Sequence, residues 1–574
     1  MKISKIKIHN FRSILDVEIT TTNFLMFVGA NNAGKSNVFA ALRCFYDDVK
    51  WGQDDFPQIA TNDTDSWVQI SYVLTDNEWE NLADKYKTNT SDKILTLRRY
   101  FSGEKVVAKQ SNIHAIINDV EEPEMFYGAK NVSAAKCGEI IYIPALTTPS
   151  EQMKVTGPSP LKNILSVMLK KVVKKSGAFD GLEDAFTKFN DEAKKEYGFL
   201  KEIQTPINEA LESWGVKLDF SISTIEADDI VKNLVTYTFI DSMLSGNGFE
   251  LGRYGHGFQR AVIYELIKRA SKLKDAVEIV KKEFNPCLTL ILFEEPEVFL
   301  HPAQQEEMAM NLRELANDVN QQVFITSHSP IFVGKNSDNI GQICRVKKTN
   351  GISTIYQMPN NDPTCLFADN CDLVRMLQSY AESDECDLNT KQEIGKFLKG
   401  YSSDDVALQK DRFRFQLWLD TERASMFFAK KVLLVEGETE KALFNYLLSH
   451  NWRDLSSQHI FVVTALGKYN FYRYMSLFSY FGIPYGMIFD QDRNKKFHGV
   501  INKFLQEHQK ECALGRPYLF EENVEKYLGV NVPERGEDKP LQILKLFDEH
   551  FSDEVKVKLE ELKVIFCKVL AIDD

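Results

Sequence analysis

The sequence lacks any long apolar run. Among its 574 residues, apolar stretches such as LTLILF (288–293) fall far short of the roughly 18 residues that a membrane span needs. The opening MKISKIKIHNF alternates like a β-strand and has no apolar block of the kind that signal peptides carry. We therefore expect a cytoplasmic protein with no membrane partner.

Cysteine pairs and an excess of positive charge are also missing. The nine cysteines include no C-x-x-C pair, which argues against a disulfide framework or a zinc ribbon. The net charge of −13 argues against a protein that coats nucleic acid over its whole surface. The acidic excess lies almost entirely before residue 429, so the carboxy-terminal part leaves room for a DNA partner. The remaining composition is that of a globular chain of about two to four domains.

A phosphate-binding loop is present near the amino terminus. The stretch FLMFVGANNAGKSN (24–37) reads as an apolar strand, a loop and a helix start, and it matches G-x-x-x-x-G-K-[ST]. In such a loop, glycines let backbone N–H groups approach phosphates, the lysine reaches the β- and γ-phosphate oxygens, and the serine hydroxyl ligates Mg²⁺. The predicted ATP-binding residues of this loop are Gly29, Asn32, Gly34, Lys35, Ser36 and Asn37.

Two later strands end in residues suited to ATP hydrolysis. The strand in CLTLILFEEPE (287–297) ends in Glu294 and Glu295. We expect Glu294 to hold Mg²⁺ through water and Glu295 to polarise the attacking water. The strand in VFITSHSP (323–330) ends in a polar turn that places His328 to contact the γ-phosphate.

A further segment, LGRYGHGFQRAVIYELI (251–267), has Gly255, Gly257 and Gln259 ahead of a helix whose first amides would face an anion. Together with EPEVFLHP (295–302), these motifs resemble the ABC-type ATPases of the SMC and DNA-repair class. Here Gly255 replaces the usual signature serine and Glu294 the usual Walker-B aspartate. Members of that class sandwich ATP between two subunits, which implies a homodimer or a higher homo-oligomer. The resemblance also puts Arg12 near the adenine.

Helical periodicity fills much of the interval between these motifs. LKNILSVMLKKVVKK (161–175) and the stretch at 182–203 have apolar residues at helical spacing, which predicts a helical insertion and a dimer contact. A basic run lies in the first of these stretches and either touches nucleic acid or forms a solvated helix face; it consists of Lys170, Lys171, Lys174 and Lys175.

Near the end of the chain, two apolar strands run into carboxylates. VLLVEGETE (432–440) leads into Glu436, and YGMIFDQDRNKKFHG (485–499) leads into Asp490 and Asp492. Parallel strands that end at one sheet edge bring such acids together, and their oxygens suit Mg²⁺ or Mn²⁺. With the Gly467 turn between them, this order of motifs resembles the Toprim domain of topoisomerases, primases and nucleases.

An ABC-type ATPase followed by a Toprim domain resembles the overcoming-lysogenization-defect (OLD) family of nucleases, which includes the Gabija nuclease and retron-associated effectors. The resemblance covers nearly the whole chain and implies a two-metal site whose ligands are Glu436, Glu440, Asp490, Asp492 and Glu525. It places Asn523 beside the second metal. It also implies a late catalytic lysine, for which Lys539 is the first candidate and Lys545 the second. We expect Glu438 to be solvated.

The predicted fold class is α/β: an ABC-type ATPase domain with a helical insertion, followed by a Rossmann-like Toprim domain. The predicted segments are an amino-terminal ATPase lobe (1–150), the insertion (151–250), a carboxy-terminal ATPase lobe (251–375), a helical linker (376–428) and the Toprim nuclease domain (429–574).

The predicted function is that of an ATP-hydrolysing, Mg²⁺- or Mn²⁺-dependent DNA endonuclease in antiviral defence, regulated by nucleotide. An accessory defence protein or a retron RNA/DNA is a further expected partner. The alternative is an ATP-switched DNA-binding or assembly protein whose Toprim domain does not cut. A topoisomerase would need a separate domain with a strand-cleaving tyrosine, and a primase would usually bring a zinc ribbon.

Overall fold

A computed structural model describes residues 1–88, 92–128, 138–145, 177–193, 198–211, 288–334, 337–398, 421–492, 496–530, 538–548 and 553–572, with a few single positions between 216 and 286. The predicted α/β class is confirmed. None of the seven cysteines within these ranges forms a disulfide. No helix of the described ranges is long and apolar enough to cross a membrane.

An antiparallel sheet forms one side of the amino-terminal half. Its strands are β1 (Lys2–Phe11), β2 (Ile14–Thr20), β4 (Ser66–Val73), β5 (Ile94–Ser102), β6 (Ile113–Ile117) and β7 (Val120–Met125), in the order β2-β1-β4-β5-β6-β7. The alternation in β1 buries Ile6 and Ile8 against the core and leaves Lys5 and Lys7 to pair with Glu18 on β2. This is the pattern of a half-buried strand.

A second sheet carries the nucleotide loop. Its strands are β3 (Phe24–Val28), β8 (Glu139–Ile143), β9 (Thr289–Glu294), β10 (Gln321–Thr326), β11 (Ile343–Thr349) and β12 (Ile352–Gln357). The order is β12-β11-β3-β10-β9-β8, and only β12 runs antiparallel to its neighbour. All five residues of β3 are buried, as expected of a central parallel strand with both faces covered. The nucleotide loop therefore starts from a strand that is held in place by packing on both faces.

Helices cover and connect the sheets of the ATPase half. They are α1 (Lys35–Phe45), α2 (Asp76–Asn81), α3 (Gly177–Ala193), α4 (Phe199–Leu211), α5 (Pro302–Ala316), α6 (Pro330–Val333), α7 (Thr364–Glu382) and α8 (Leu388–Leu398). Helices α3 and α4 lie within the predicted insertion, whose role and bounds stay predictions. The predicted linker boundary at 376 falls inside α7.

The carboxy-terminal part has its own parallel sheet. Its strands are β13 (Lys431–Val435), β14 (Ile460–Thr464), β15 (Tyr485–Asp490) and β16 (Tyr518–Phe520), in the order β14-β13-β15-β16, all parallel. The accompanying helices are α9 (Glu438–His450), α10 (Phe471–Tyr480), α11 (Lys496–Glu507), α12 (Val524–Leu528), α13 (Lys539–Asp548) and α14 (Asp553–Val569). All four strands point their carboxyl ends to one edge, where the predicted acids lie.

The two halves share one hydrophobic core. The same cluster of buried side chains contains Met26 of β3 and Val432 and Met487 of the carboxy-terminal sheet. At this junction, Arg345 of β11 is buried and its guanidinium donates hydrogen bonds to main-chain oxygens beyond residue 420. The four acceptors are the carbonyl oxygens of Phe427 (3.0 Å), Ala429 (3.0 Å), Phe481 (3.1 Å) and Gly482 (2.8 Å). The carboxy-terminal part is therefore held directly by the ATPase sheet.

Candidate functional site

The nucleotide loop leaves β3 through a backbone conformation that requires glycine. Gly29 has φ 142°, and a Cβ there would lie 2.2 Å from the carbonyl oxygen of Val346 on β11. Gly34, with φ 105°, caps α1, and a Cβ there would lie 2.3 Å from the Ser353 hydroxyl of β12. The loop is thus pressed against the β11–β12 hairpin at both ends, which explains the two glycines at this spacing.

Lys35 is buried within this loop. Its ammonium donates to the carbonyl oxygens of Gly29 (3.1 Å) and Ala30 (3.0 Å). Burial lowers the pKa of Lys35 to about 8, against the opposing effect of three nearby glutamates, of which Glu295 is the strongest. The first turn of α1 contains no acidic residue, so its amide dipoles are not neutralised there. The Ser36 side chain is exposed. A polyphosphate would meet the amino-terminal end of a helix, a lysine and a hydroxyl at this point.

The hydrolysis residues lie at the ends of the neighbouring strands. In the sheet register Thr326 pairs with both Phe27 and Glu294, so the ends of β3, β10 and β9 are level. Glu295 follows with φ 44°, a conformation that non-glycine residues adopt rarely. His328 Nε2 lies 3.4 Å from Glu295 Oε1. Burial and then Lys35 lower the pKa of His328 to about 4, so the ring is neutral near pH 7 and the contact is not an ion pair.

Glu297 is a site residue that the sequence analysis missed. Its Oε1 accepts a hydrogen bond from the backbone N–H of His328 at 2.5 Å, and its Oε2 has no hydrogen-bond partner in the described part of the chain. Burial raises the pKa of Glu297. The third acid in FEEPE, Glu297 itself, was the available signal, because an acidic residue that close to a strand end can turn back toward it.

Arg12 lies at the start of α1. Its Nε pairs with Asp55 Oδ1 at 2.8 Å, and its Nη1 lies 3.4 Å from Asn37 Oδ1. The structure therefore brings Arg12 beside the predicted ATP-binding loop. The signature segment with Gly255, Gly257 and Gln259, and the lysine run at 170–175, lie outside the described residues.

In the carboxy-terminal sheet, Glu436 directly follows β13 and Asp490 ends the neighbouring β15. The backbone N–H of Asp490 lies 3.3 Å from Glu436 Oε2, so the two predicted ligands are brought together. Burial raises the pKa of Glu436. Glu440, in the first turn of α9, accepts a hydrogen bond from the Gly437 N–H at 3.0 Å. Burial, Glu436 and Glu525 together raise the pKa of Glu440 to about 7. Glu438 is 53% exposed and faces Lys441 instead.

Asp490 has an uncompensated carboxyl group. Burial, followed by Glu440 and Glu436, raises the pKa of Asp490 to about 9. Its Oδ1 is buried and has no hydrogen-bond partner among the described residues. Several acids crowded together resist ionisation unless enough positive charge joins them. An all-oxygen donor set of this kind fits a hard divalent cation.

Asp492 has the opposite surroundings. Its Oδ2 accepts from Lys468 Nζ at 2.6 Å and lies 2.8 Å from His498 Nδ1. The His498 contact, together with Lys468, holds the pKa of Asp492 well below its usual range. Lys468 and His498 were not predicted as site residues. The Gly-Lys pair in TALGKYN was a signal for Lys468, whereas nothing in the sequence pointed to His498.

The late acidic motif, which contains Glu525, also lies at this edge of the sheet. Glu525, in the short helix α12, is buried, and its Oε1 lies 3.2 Å from Lys539 Nζ at the start of α13. Lys545, one and a half turns later, is exposed. Asn523 caps α12 through a hydrogen bond from the Lys526 N–H to its Oδ1, at 2.8 Å. The first candidate for the late lysine is therefore the one beside a predicted ligand.

The carboxylates are not gathered around a single point. Within the described ranges, no three acidic, histidine or cysteine side chains lie close enough to hold a metal in the present arrangement. Their chemistry fits a divalent cation, because Asp490 Oδ1 has no hydrogen-bond partner among the described residues and the pKa of Glu440 is raised, and a cation would favour ionisation of both carboxyl groups.

Comparison with known proteins agrees with this geometry. A family model described as an AAA ATPase domain matches residues 1–197 and 161–333, and one described as the Toprim domain of overcoming lysogenization defect protein-like proteins matches residues 427–492. The chain is 24% identical to the Old nuclease of Escherichia phage P2, over 89% of this chain and 79% of that one.

Two further relatives match over nearly the full length. The chain is 22% identical to the OLD nuclease of Thermus scotoductus, over 95% of this chain and 94% of that one. It is also 22% identical to the endonuclease GajA of Bacillus cereus, over 95% of this chain and 85% of that one. The predicted family is thus confirmed: the chain belongs to the OLD family and is an enzyme with an AAA ATPase domain and a Toprim nuclease domain.

Proposed function

We propose that this protein is a DNA endonuclease that depends on Mg²⁺ or Mn²⁺ and is regulated by ATP. The observation that supports this most strongly is the buried carboxyl oxygen of Asp490, beside Glu436, which has no hydrogen-bond partner among the residues that the structure describes. A group in that environment is costly unless it serves to bind a cation or a substrate. The names of the relatives, nuclease and endonuclease, support the same activity.

Glu436, Asp490 and Asp492 would hold one cation, and Glu440 and Glu525 would hold a second. A pair of such ions supplies charge stabilisation at both the attacking and the leaving oxygen of a phosphodiester. Lys539 lies beside Glu525 and can place its ammonium against negative charge that develops on the phosphate. Lys468 and Asn502 hold the main chain after β15, where the Asp490 carbonyl accepts from both side chains.

The loop after β3 would bind ATP through Gly29, Asn32, Gly34, Lys35, Ser36 and Asn37, with Mg²⁺ held by Ser36 and Glu294. Glu295 would orient the attacking water, and the neutral His328 beside it would contact the γ-phosphate. The second half of the ATP site is proposed to come from Gly255, Gly257 and Gln259 of another subunit. The functional unit is then a homodimer or a larger homo-oligomer.

The β11–β12 hairpin supports regulation by nucleotide. On one side its Ser353 hydroxyl donates to the Ala33 carbonyl of the nucleotide loop at 2.7 Å, and Val346 lies against Gly29. On the other side Arg345 holds the carboxy-terminal part, and a Cβ on Gly482 would lie 2.6 Å from the Tyr356 ring. A shift of the loop upon ATP binding would therefore reach the Toprim domain through one short element.

The test is DNA cleavage by the purified protein. Supercoiled plasmid should be cut with Mg²⁺ or Mn²⁺ and remain intact in EDTA, and the rate should differ with and without ATP. Glu436→Gln should abolish cutting, whereas Glu438→Gln, two positions away on the exposed side, should cut at the wild-type rate. Cleavage that persists in Glu436→Gln would rule out this carboxylate cluster as the nuclease site.

One observation favours the second candidate, an ATP-switched DNA-binding or assembly protein with a non-cutting Toprim domain. No three carboxylates of the described ranges converge on a metal position as they stand. ATP-dependent DNA retention without cleavage at any divalent ion would decide for that function.

A role in antiviral defence is proposed from the resemblance to the Gabija nuclease and retron-associated effectors. It implies an accessory defence protein or a retron RNA/DNA as a partner. Expression of the wild-type chain, with its neighbouring genes, should reduce phage plaque formation, and Glu436→Gln should restore it. Equal plaque counts with the wild-type protein and the variant would contradict this role.

A further inference from the structure

We propose that Lys468 is a positioning residue of the carboxylate cluster: its ammonium fixes Asp492 and the end of β15 so that Asp490 and Glu436 present their free oxygens to a divalent cation. This inference rests on the proposed metal-dependent function and assigns a role within it to a residue that would not touch the metal or the substrate.

The Lys468 side chain is completely buried, with 0% exposure. Its Nζ donates to the main-chain carbonyl of Asp490 and, at 2.6 Å, to Asp492 Oδ2, and it lies 3.7 Å from Glu436 Oε2. A lysine is buried in this way only when its charge is matched and its hydrogens are donated. The three contacts satisfy both conditions.

The chain before Lys468 is built to turn this side chain inward. Gly467 has φ 110°, a conformation that favours glycine, and its N–H donates to the carbonyl oxygen of Glu436 at 3.0 Å. The Asn470 side chain closes the same turn by donating to the Ala465 carbonyl at 2.8 Å. The turn is therefore hydrogen-bonded to the main chain of Glu436, the residue after β13 whose carboxylate belongs to the cluster.

Asp492 is held on one oxygen only. Lys468 and His498 both contact Oδ2, and no hydrogen bond within the described residues uses Oδ1. The backbone of Asp492 has φ 51°, a conformation that costs free energy for a non-glycine residue and persists where surrounding contacts enforce it. Asn502 adds a hydrogen bond to the Gln491 carbonyl at 2.9 Å. The segment 490–492 is thus fixed from two sides.

A buried cation among acids could act in two opposite ways. If Lys468 only competed with the metal for negative charge, its removal would strengthen metal binding. If it holds the ligands in place, its removal would weaken binding, because residues that orient metal ligands typically change affinity or activity by about 10- to 100-fold. Its bond to the Asp490 main chain, which neutralises no acid, favours the positioning role.

The test measures Mn²⁺ affinity by electron paramagnetic resonance or calorimetry, without DNA. Lys468→Met should weaken binding by about 10-fold or more. Lys431→Met is the matched control: Lys431 also donates to main-chain carbonyls in this domain, those of Leu570 and Ala571, but it lies at the opposite end of β13. The control should bind Mn²⁺ like the wild type. Unchanged or tighter binding in Lys468→Met would overturn the inference.

A double-mutant cycle tests whether Lys468 acts through Asp492. In an Asp492→Asn background, Lys468→Met should weaken Mn²⁺ binding much less than it does in the wild type, whereas full additivity would contradict the positioning role. Should Lys468→Met reduce the yield of folded protein, Lys468→Gln removes the charge but keeps a donor for the same comparison. Wild-type protein that binds no Mn²⁺ would instead refute the proposed function itself.

Discussion

At the scale of single residues, Asp490 and Asp492 lie two positions apart and have opposite electrostatic surroundings. Asp490 faces other acids, and within the described part of the chain its Oδ1 has no hydrogen-bond partner, whereas Asp492 contacts Lys468 and His498. Ionisation of the Asp490 carboxyl group is therefore unfavourable as long as no cation is bound beside it. Such an unfavourable ionisation is expected at a binding site, where the ligand offsets its free-energy cost.

The raised pKa of Asp490 predicts that the free energy of unfolding depends on pH. The pKa of Asp490 is raised to about 9 from an ordinary value of 3.8, so the folded state holds the proton more tightly than the unfolded state. The free energy of unfolding of the metal-free protein should then fall as the pH rises from about 4 toward 9. Asp490→Asn should reduce this fall by on the order of 2 kcal/mol and should abolish divalent-dependent cleavage.

Urea unfolding at pH 5.5 and pH 8.5 in EDTA measures the effect. Glu438→Gln, an exposed acid of the same domain, should keep the wild-type pH dependence. Identical pH dependence in Asp490→Asn and the wild type would show that this carboxyl ionises normally.

A second residue-scale prediction concerns ATP. Lys35→Ala should weaken ATP binding by about 10- to 150-fold, because the loop loses the charge-assisted donor that is proposed to reach the β- and γ-phosphates. Glu295→Gln should bind ATP like the wild type but hydrolyse it slowly. Nucleotide titration and phosphate release separate the two effects, and wild-type turnover in both variants would remove these residues from the ATPase mechanism.

These residues show what the sequence could reveal about the site. Glu436 and Asp490 could be predicted because each ends an apolar strand, and parallel strands carry their last residues to one edge. His498 could not, because its contact with Asp492 depends on how α11 lies against the end of β15. The inward side chain of Lys468 and the positive φ of Asp492 likewise depend on contacts that form only in the folded chain.

At the scale of elements, α13 separates two lysines that the motif could not tell apart. Its first residue, Lys539, contacts Glu525, and Lys545 in the last turn is exposed. Lys539→Met should lower the cleavage rate by about 100-fold or more, as expected for a lost donor to developing charge. Lys545→Met should cut nearly normally. Plasmid cleavage at saturating Mn²⁺ provides the measurement, and the reverse pattern would assign the role to Lys545.

The second element is the β11–β12 hairpin, which contacts both the nucleotide loop and the carboxy-terminal part. Because the guanidinium of Arg345 serves four carbonyls at once, lysine cannot replace it even though the charge is kept. Arg345→Lys should therefore bring the ratio of cleavage with ATP to cleavage without ATP close to one, while ATP turnover continues. Arg375→Lys, in an exposed pair with Asp372, is the control. An unchanged ratio in Arg345→Lys would exclude the hairpin as the connection.

At the scale of the whole molecule, the proposed ATP site is shared between two chains, with the signature segment supplied by a partner. Glu295→Gln with ATP should sediment as a dimer or a larger assembly, and Lys35→Ala with ATP should show a smaller assembled fraction. A protein that stays monomeric under all conditions in analytical ultracentrifugation would contradict the shared site.

The sequence also predicted the fold class at this scale, because each strand and loop motif lies in a continuous stretch. It could not predict that the two halves share one core, since Met26 and Met487 are distant in the chain. An apolar residue is also expected at each position from its own buried strand alone. The contact of Arg345 with four carbonyls depends on the same packing.

The buried guanidinium of Arg345 limits how the protein can be taken apart. A fragment that began near residue 421 would expose the carbonyls of Phe427, Ala429, Phe481 and Gly482 and the apolar surface around them. Such a fragment should be prone to aggregation unless the hairpin is supplied with it. A hybrid that takes its nuclease half from a relative would therefore need to import β11 and β12 as well, so the boundary for domain exchange lies within the ATPase sheet rather than at the linker.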